Sequence, residues 1–181
     1  EVSAGLTLDV GALTYVYPSN KLNPSANTTE LYAALSFGPA NLKYSHSVTN
    51  LFGFPDSKNS GYLDLSASFD LGDGWAVAPH VGHQRVAHLS AASYTDYSLT
   101  VSKTIDIWTP SLAIVGTNTD AYTSPKNGKD LGKAGVVAAV SQSKGDLGLV
   151  PAFHAPNAGA WWTALEFDSA PKIIARLPFI D

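Results

Sequence analysis

Apolar and polar residues alternate along several stretches of about ten residues. In the stretch 62–71, the odd-numbered positions are apolar, and the even-numbered positions after Tyr62 are Asp or Ser. The stretch 96–105 repeats this pattern, with Lys103 as the exception on its apolar side. A long side chain near a strand end can extend to water, so Lys103 does not break the pattern. A period of two indicates β-strands whose two faces meet different environments.

The connections between the predicted strands alternate strictly between tight and long. The predicted strands are 9–17, 31–37, 41–48, 62–71, 75–83, 96–105, 111–117 and 133–142. Tight connections at 37–40, 70–75 and 105–108 alternate with long polar ones at 18–28, 49–60, 85–94 and 118–132. Strands of about 9 to 11 residues can cross a bilayer when tilted. Short turns on one side and long loops on the other are typical of outer-membrane barrels. The sequence therefore predicts an all-β, antiparallel up-and-down barrel of about eight strands.

A soluble sandwich of two sheets shows the same alternation, with its apolar face turned inward, so alternation leaves both folds open. Two features favour the membrane. Aromatic residues gather near strand ends, as in the girdles of membrane barrels, with Tyr62 and Tyr97 near long loops and Phe37, Trp75 and Trp108 near tight turns. The polar faces are also mostly Ser, Thr, Ala and Gly, which suit a narrow lumen better than a solvated surface.

Composition narrows the function classes. The chain is 45% hydrophobic and only 14% charged, with a net charge of -4 and no cluster of Lys and Arg along any strand. Nucleic acid is therefore not an expected partner. No run approaches 18 apolar residues, which argues against a transmembrane helix. The chain has no Cys and no Met, so we expect no disulfide or thiolate metal site, and we interpret the sequence as a processed or partial one.

Catalytic chemistry is not expected from the residue spacing. His80 and His83 are three apart, which in a strand places their side chains on opposite faces. Asp64 and Asp70 share a face but lie about 20 Å apart, too far for an acid/base pair unless another strand supplies the second carboxylate. We expect His46, His88 and His154 to be ordinary polar residues. No metal or other cofactor is expected, and an enzyme would require a cluster at the long-loop rim, for which the candidates are Asp56, His88, Asp96 and Asp120.

Several ordered segments resemble one bacterial family. They include L-F-G-F-P-D-S at 51–57, G-Y-L-D-L at 61–65, D-L-G-D-G-W at 70–75 and H-V-G-H-Q-R-V at 80–86. With other matches, about residues 5–143 resemble the proteobacterial TorF-like porins. The resemblance implies a barrel in the outer membrane of a Gram-negative bacterium. It does not identify the transported solute.

The chain also departs from that family. Its members carry further strands before the segment that begins here, so we expect residues 1–144 to be a barrel or the carboxyl-terminal portion of a larger one. Residues 145–181 match nothing in the family and contain four prolines. This tail could add two strands, at 161–167 and 172–180, giving ten.

The sequence thus predicts an outer-membrane porin or small structural barrel for passive passage of small solutes, with membrane lipid as its surroundings. The alternative is a soluble secreted or periplasmic binding module that uses its long loops. More strands, or further copies in a homo-oligomer, would widen the lumen. The residues predicted to face that lumen are Lys43, Ser45, Asp64, Ser66, Ser68, His80, Ser98 and Thr100.

Overall fold

A computed structural model describes residues 5–124, 127–143, 148–149 and 165–166. These residues form an all-β structure, as predicted. The strands are β1 (Leu6–Tyr15), β2 (Thr28–Phe37), β3 (Ala40–Ser47), β4 (Gly61–Ala67), β5 (Phe69–Gly72), β6 (Trp75–Arg85), β7 (Tyr94–Lys103), β8 (Trp108–Thr117), β9 (Gly135–Gln142), β10 (Gly148–Leu149) and β11 (Leu165–Glu166). A 3₁₀ turn spans Ser90–Ala92. The described residues contain no helix that is long and apolar enough to cross a membrane.

The main sheet is an antiparallel meander. Its order is β1-β2-β3-β4-β6-β7-β8-β9, and β5 pairs with β6 beside this path. The short strands β10 and β11 pair separately. The predicted up-and-down order is therefore present, but β1 and β9 do not pair with each other in the described residues, and the sheet is open. Of the predicted tail strands, 161–167 contains β11, and the rest of 161–167 and all of 172–180 lie outside the described residues.

The predicted strand 62–71 is interrupted at Ser68, which separates β4 from β5. Ser66 pairs with His80 and Phe69 pairs with Val77, so the register does not shift across the gap. Pro79 lies between those two β6 residues and has no N–H to donate. The interruption therefore coincides with a missing donor on β6. On the opposite side, towards β3, the N–H of Ser68 donates to the carbonyl of Pro39 at 2.9 Å.

The connections keep the predicted alternation of tight and long. Tight turns follow β2, β5 and β7, and loops 16–27, 48–60, 86–93 and 118–134 follow β1, β3, β6 and β8. Because neighbouring strands run antiparallel, the tight turns lie at one end of the sheet and the long loops at the other. In the β5–β6 turn, Gly72 and Gly74 have φ of 82° and 77°. Such angles favour glycine.

The two faces of the sheet differ in exposure, and the apolar face is the exposed one. Leu65 on β4, Leu99 on β7 and Ile114 on β8 are 49%, 47% and 54% exposed. The opposite face, called here the polar face, is more enclosed, and Ser45 on β3 is 8% exposed. Lys103, at the end of β7, places its ammonium over the Trp75 ring, 5.1 Å from the centroid. This distribution is the reverse of that in a soluble single-layer sheet.

The best-packed apolar cluster lies among the long loops and not against the sheet. Leu51, Val86 and Ala92 form its buried centre, with Phe52, Phe54 and Tyr122 packed against it. The four largest fully buried side chains are also polar residues in or beside the loops: Thr28, Ser47, Ser57 and Ser60. We call these packed loops the loop layer.

Hydrogen bonds connect different loops within the loop layer. The hydroxyl of Thr28 accepts a bond from the N–H of Phe52 at 2.7 Å. The hydroxyl of Ser60 accepts one from the N–H of Ala87 at 3.0 Å. The hydroxyl of Tyr122 donates to the carbonyl of Ala92 at 2.6 Å. All four long loops are therefore joined at one end of the sheet.

Candidate functional site

The strand register brings the predicted lumen residues to one face of the sheet. Lys43 pairs with Asp64 and Ser45 pairs with Tyr62 across β3 and β4. Ser66 pairs with His80, and His80 pairs with Ser98 on β7. Thr100, two residues further along β7, shares that face. Ser68 differs from the others, because it lies between β4 and β5 and is exposed. Whether this face lines a lumen stays a prediction.

His80 lies between two carboxylates from the neighbouring strands. Its Nε2 is 2.5 Å from Oδ2 of Asp64, and its Nδ1 is 3.5 Å from Oδ1 of Asp96. The hydroxyl of Tyr62 donates to Asp96 Oδ2 at 3.0 Å, and that of Ser66 donates to Asp64 Oδ1 at 3.2 Å. The side chains of His80, Asp64 and Asp96 keep 23%, 19% and 21% exposure. Two carboxylates within reach of solvent give this cluster the chemistry to attract cations.

Gly82 makes room for this cluster. It pairs with Asp64 on one side and with Asp96 on the other, so the strand between the two carboxylates carries no side chain at that level. A Cβ at Gly82 would overlap the hydroxyl of Tyr62. The ring of Tyr62 therefore lies against bare backbone, which lets its hydroxyl reach Asp96.

One row across the sheet carries four charged residues. The register aligns Asp9 with Ala34, Ala34 with Lys43, Lys43 with Asp64, and then Asp64 with Asp96 through Gly82. The ammonium of Lys43 lies over the ring of Tyr32, 4.4 Å from its centroid. Among the described residues, Lys43 makes no ion pair with a carboxylate.

Glu30 lies on the same face, closer to the loop layer. It pairs with Ser47 and is 8% exposed. Tyr94 on β7 lies four strands from Glu30 in the sheet order and shares the polar face with it.

The other histidines and the rim acids do not assemble into one site. His83 lies on the apolar face, where its Nδ1 is 3.0 Å from the hydroxyl of Thr95. His46 is also on that face, and His154 lies outside the described residues. At the rim, His88 contacts the exposed Asp56, 3.4 Å from its carboxylate. Asp96 is on the polar face and does not join them. Within the described ranges, no group of three or more His, Cys, Asp or Glu side chains could hold a metal ion.

The comparisons with known proteins identify a family without assigning a function. The family described as "Bacterial protein of unknown function (Gcw_chp)" matches residues 1–144. The chain belongs to this family. No curated protein and no solved structure matches the chain. The function of this Gcw_chp chain therefore has to be argued from its own geometry.

Sequence reasoning missed three residues of the charged face in this Gcw_chp chain. Asp96 was a rim candidate, whereas it meets His80 on the polar face. Glu30 was not singled out, and Tyr62 was expected in the aromatic girdle and not beside Asp96. The sequence analysis allowed a carboxylate partner for Asp64 only from another strand. Asp96 is on another strand, and His80 lies between the two carboxylates. Counting register outward from the tight turns would have placed Asp64, His80 and Asp96 together.

Proposed function

We propose that the chain forms an outer-membrane β-barrel that lets small solutes pass without energy input. One observation carries the proposal: the sheet exposes its large aliphatic side chains, whereas the charged residues of its central strands, Lys43, Asp64 and Asp96, are partly enclosed on the opposite face. Water disfavours such a surface, whereas hydrocarbon favours it, because exposed apolar area costs about 25 cal/mol per Å² in water. Contiguous exposed apolar surface of this kind marks contact with a membrane or another protein. The resemblance to TorF-like porins agrees with this interpretation.

Backbone hydrogen bonding supports closure of the sheet. β1 and β9 each leave one edge unpaired among the described residues, and unpaired backbone groups cost several kcal/mol each inside hydrocarbon. We propose that these edges pair with each other to give an eight-strand barrel, or with added strands to give a larger one.

The size of the barrel decides between passage and a purely structural role. An eight-strand barrel encloses a lumen that side chains nearly fill, so wider passage requires further strands or an arrangement of several copies. A small structural barrel is therefore the second candidate. It is favoured by the contact of His80 with carboxylates from both neighbouring strands, because side chains that pair with one another occupy the polar face.

Detergent partition and single-channel recording test this proposal together. The refolded chain should enter detergent micelles, and unheated samples should migrate differently from heated ones on a gel, as closed barrels do. In a planar bilayer a pore should give discrete current steps, and a structural barrel should give none. A chain that stays monomeric in buffer without detergent and shows no heat-dependent migration would instead be the soluble binding module.

A further inference from the structure

The charged residues inside the strands share one face and are mostly acidic. Along the middle of the strands, four acidic residues and one lysine lie on the polar face: Asp9, Glu30, Asp64, Asp96 and Lys43. We infer that this face makes the proposed pore prefer small cations to anions, and that Glu30, Asp64 and Asp96 set the preference. This inference rests on the proposed function as a pore. Rings of acidic side chains act in this way in cation channels.

Glu30 gives the first argument, because its carboxylate has no counter-charge in contact. The residue as a whole is 8% exposed, and among the described residues it makes no hydrogen bond or ion pair. Lys43 interacts with it only at longer range. No side-chain oxygen of the described residues is both buried and without a hydrogen-bond partner, so the Glu30 oxygens stay accessible from the polar face. A cation moving along that face can therefore reach a carboxylate that no fixed charge compensates.

Asp64 and Asp96 give the second argument, because neither is neutralised by a fixed positive side chain. They share one histidine, so even a protonated His80 leaves this pair with a net negative charge. Tyr62 and Ser66 add hydroxyl donors and no charge. Both carboxylates are about four-fifths buried, so their field is screened less than at an open surface.

Lys43 does not cancel this field. Its ammonium is held over the ring of Tyr32, at 4.4 Å from the centroid, and forms no ion pair with the neighbouring Asp64. In the strand interiors of the described residues, no Lys or Arg other than Lys43 lies on the polar face. Arg85 and Lys103 lie at strand ends and belong to the apolar face by register.

The ligand class is small monovalent cations, inorganic or ammonium. The described carboxylates do not converge into a group that could hold a metal ion, so tight divalent binding is not expected. Carboxylates spread over several strands favour weak, successive contacts. Weak contacts at several positions are what conduction requires, since an ion must leave as readily as it enters.

Reversal potentials in a potassium chloride gradient test this inference. The wild-type pore should reverse at a potential of the sign expected for potassium permeation. Glu30→Gln, and separately Asp64→Asn together with Asp96→Asn, should move the potential towards zero. Asp56→Asn is the matched control, because Asp56 is an exposed loop carboxylate, and it should leave the potential unchanged. Heat-dependent gel migration of each variant confirms that the barrel has formed.

The outcomes separate the two proposals. Current steps without cation preference, or with the preference unchanged in both variants, would overturn the inference and leave the pore standing. A folded, heat-modifiable barrel without current would overturn the pore, and the selectivity with it. Loss of preference in Asp56→Asn alone would move selectivity to the loop layer and would also overturn the inference.

Discussion

The ring of Tyr62 lies directly against the backbone of Gly82 on the neighbouring strand, where a Cβ would overlap its hydroxyl. Three more tyrosines lie over glycines in the same way. These pairs are Tyr32 with Gly11, Tyr44 with Gly61, and Tyr97 with Gly116. Covering a strand glycine with an aromatic ring compensates for the packing that glycine lacks. In this chain, the Tyr62 pair also positions a donor for Asp96.

Substitution of Gly82 tests this arrangement. Gly82→Ala should destabilise the folded sheet by about 1 to 3 kcal/mol, because a methyl group is forced into an occupied position. Urea unfolding in detergent micelles measures the change. Gly135→Ala is the control, since a Cβ at Gly135 meets no atom within 4 Å. Equal losses in both variants would mean that generic strand effects, and not the tyrosine contact, decide the stability.

Arginine substitutions on the two faces test which face meets lipid. Leu65→Arg and Leu99→Arg, at positions about half exposed, should each cost about 2 to 4 kcal/mol if they lie near the bilayer midplane. Ser66→Arg on the polar face should cost much less. A lipid refolding titration gives the values.

The soluble alternative makes the opposite prediction for the same variants. In water, arginine at a half-exposed leucine position removes apolar surface and is close to neutral. Ser66→Arg would then be the more harmful change, because Ser66 donates to Asp64. A larger loss of stability in Ser66→Arg than in the two leucine variants would therefore mean that the apolar face does not contact lipid.

The absence of native cysteine allows a direct test of orientation. Lys58→Cys lies in a long loop and Asp73→Cys in a tight turn, and both positions are exposed. A membrane-impermeant maleimide applied to intact cells should label the Lys58 variant and spare the Asp73 variant, because long loops face outward in barrels of this type. After cell lysis both should react. Labelling of the Asp73 variant in intact cells would contradict the topology.

The loop layer should weaken at alkaline pH. Burial raises the pKa of Tyr122 above its ordinary value, so the folded state favours the neutral hydroxyl that donates to Ala92. The stabilisation is therefore complete below about pH 10, the ordinary pKa of tyrosine, and is lost as the pH rises above it. The thermal midpoint, followed by circular dichroism, should fall as the pH is raised above about 10.

Tyr122→Phe is the matched control for this pH dependence. It should cost about 1 kcal/mol at neutral pH, the usual contribution of one hydrogen bond. Its midpoint should then fall less steeply with pH than that of the wild type. The pKa of Tyr17 is also raised by burial, so some dependence should remain. Parallel curves for the two proteins would exclude Tyr122 as the titrating group.

The strands were predictable because their pattern depends on local sequence. Period-two alternation located five of the eight long segments of the meander, although Ser68 interrupts one of them, and the spacing of tight turns and long loops located the other three, at 9–17, 111–117 and 133–142. The interruption follows from Pro79 on the partner strand, and its effect appears only when the register is known. Closure of the sheet depends on contacts between the two ends of the chain, which alternation does not encode.

The charged site was only partly predictable, since it combines residues from three strands. The faces of Asp64 and His80 followed from alternation, and their meeting with Asp96 required the register on both sides of β6. The loop layer was missed for a different reason. Residues 49–60 and 85–94 contain turn-forming residues, which predict loops. The apolar residues around the buried Leu51 and Val86 do not recur with the period of a strand or a helix, so nothing in the sequence indicated that they are packed.

In most proteins the strands are packed and the loops are exposed. In this chain the buried apolar cluster of the described residues lies among the loops. Insertions are normally tolerated in surface connections, but here they would separate Leu51 from Val86 and break bonds between different loops. Replacement of one aliphatic residue by another on the exposed face of the strands would disturb no packed neighbour layer. Any molecule that approaches the long-loop end would therefore meet one continuous packed surface in place of four independent loops.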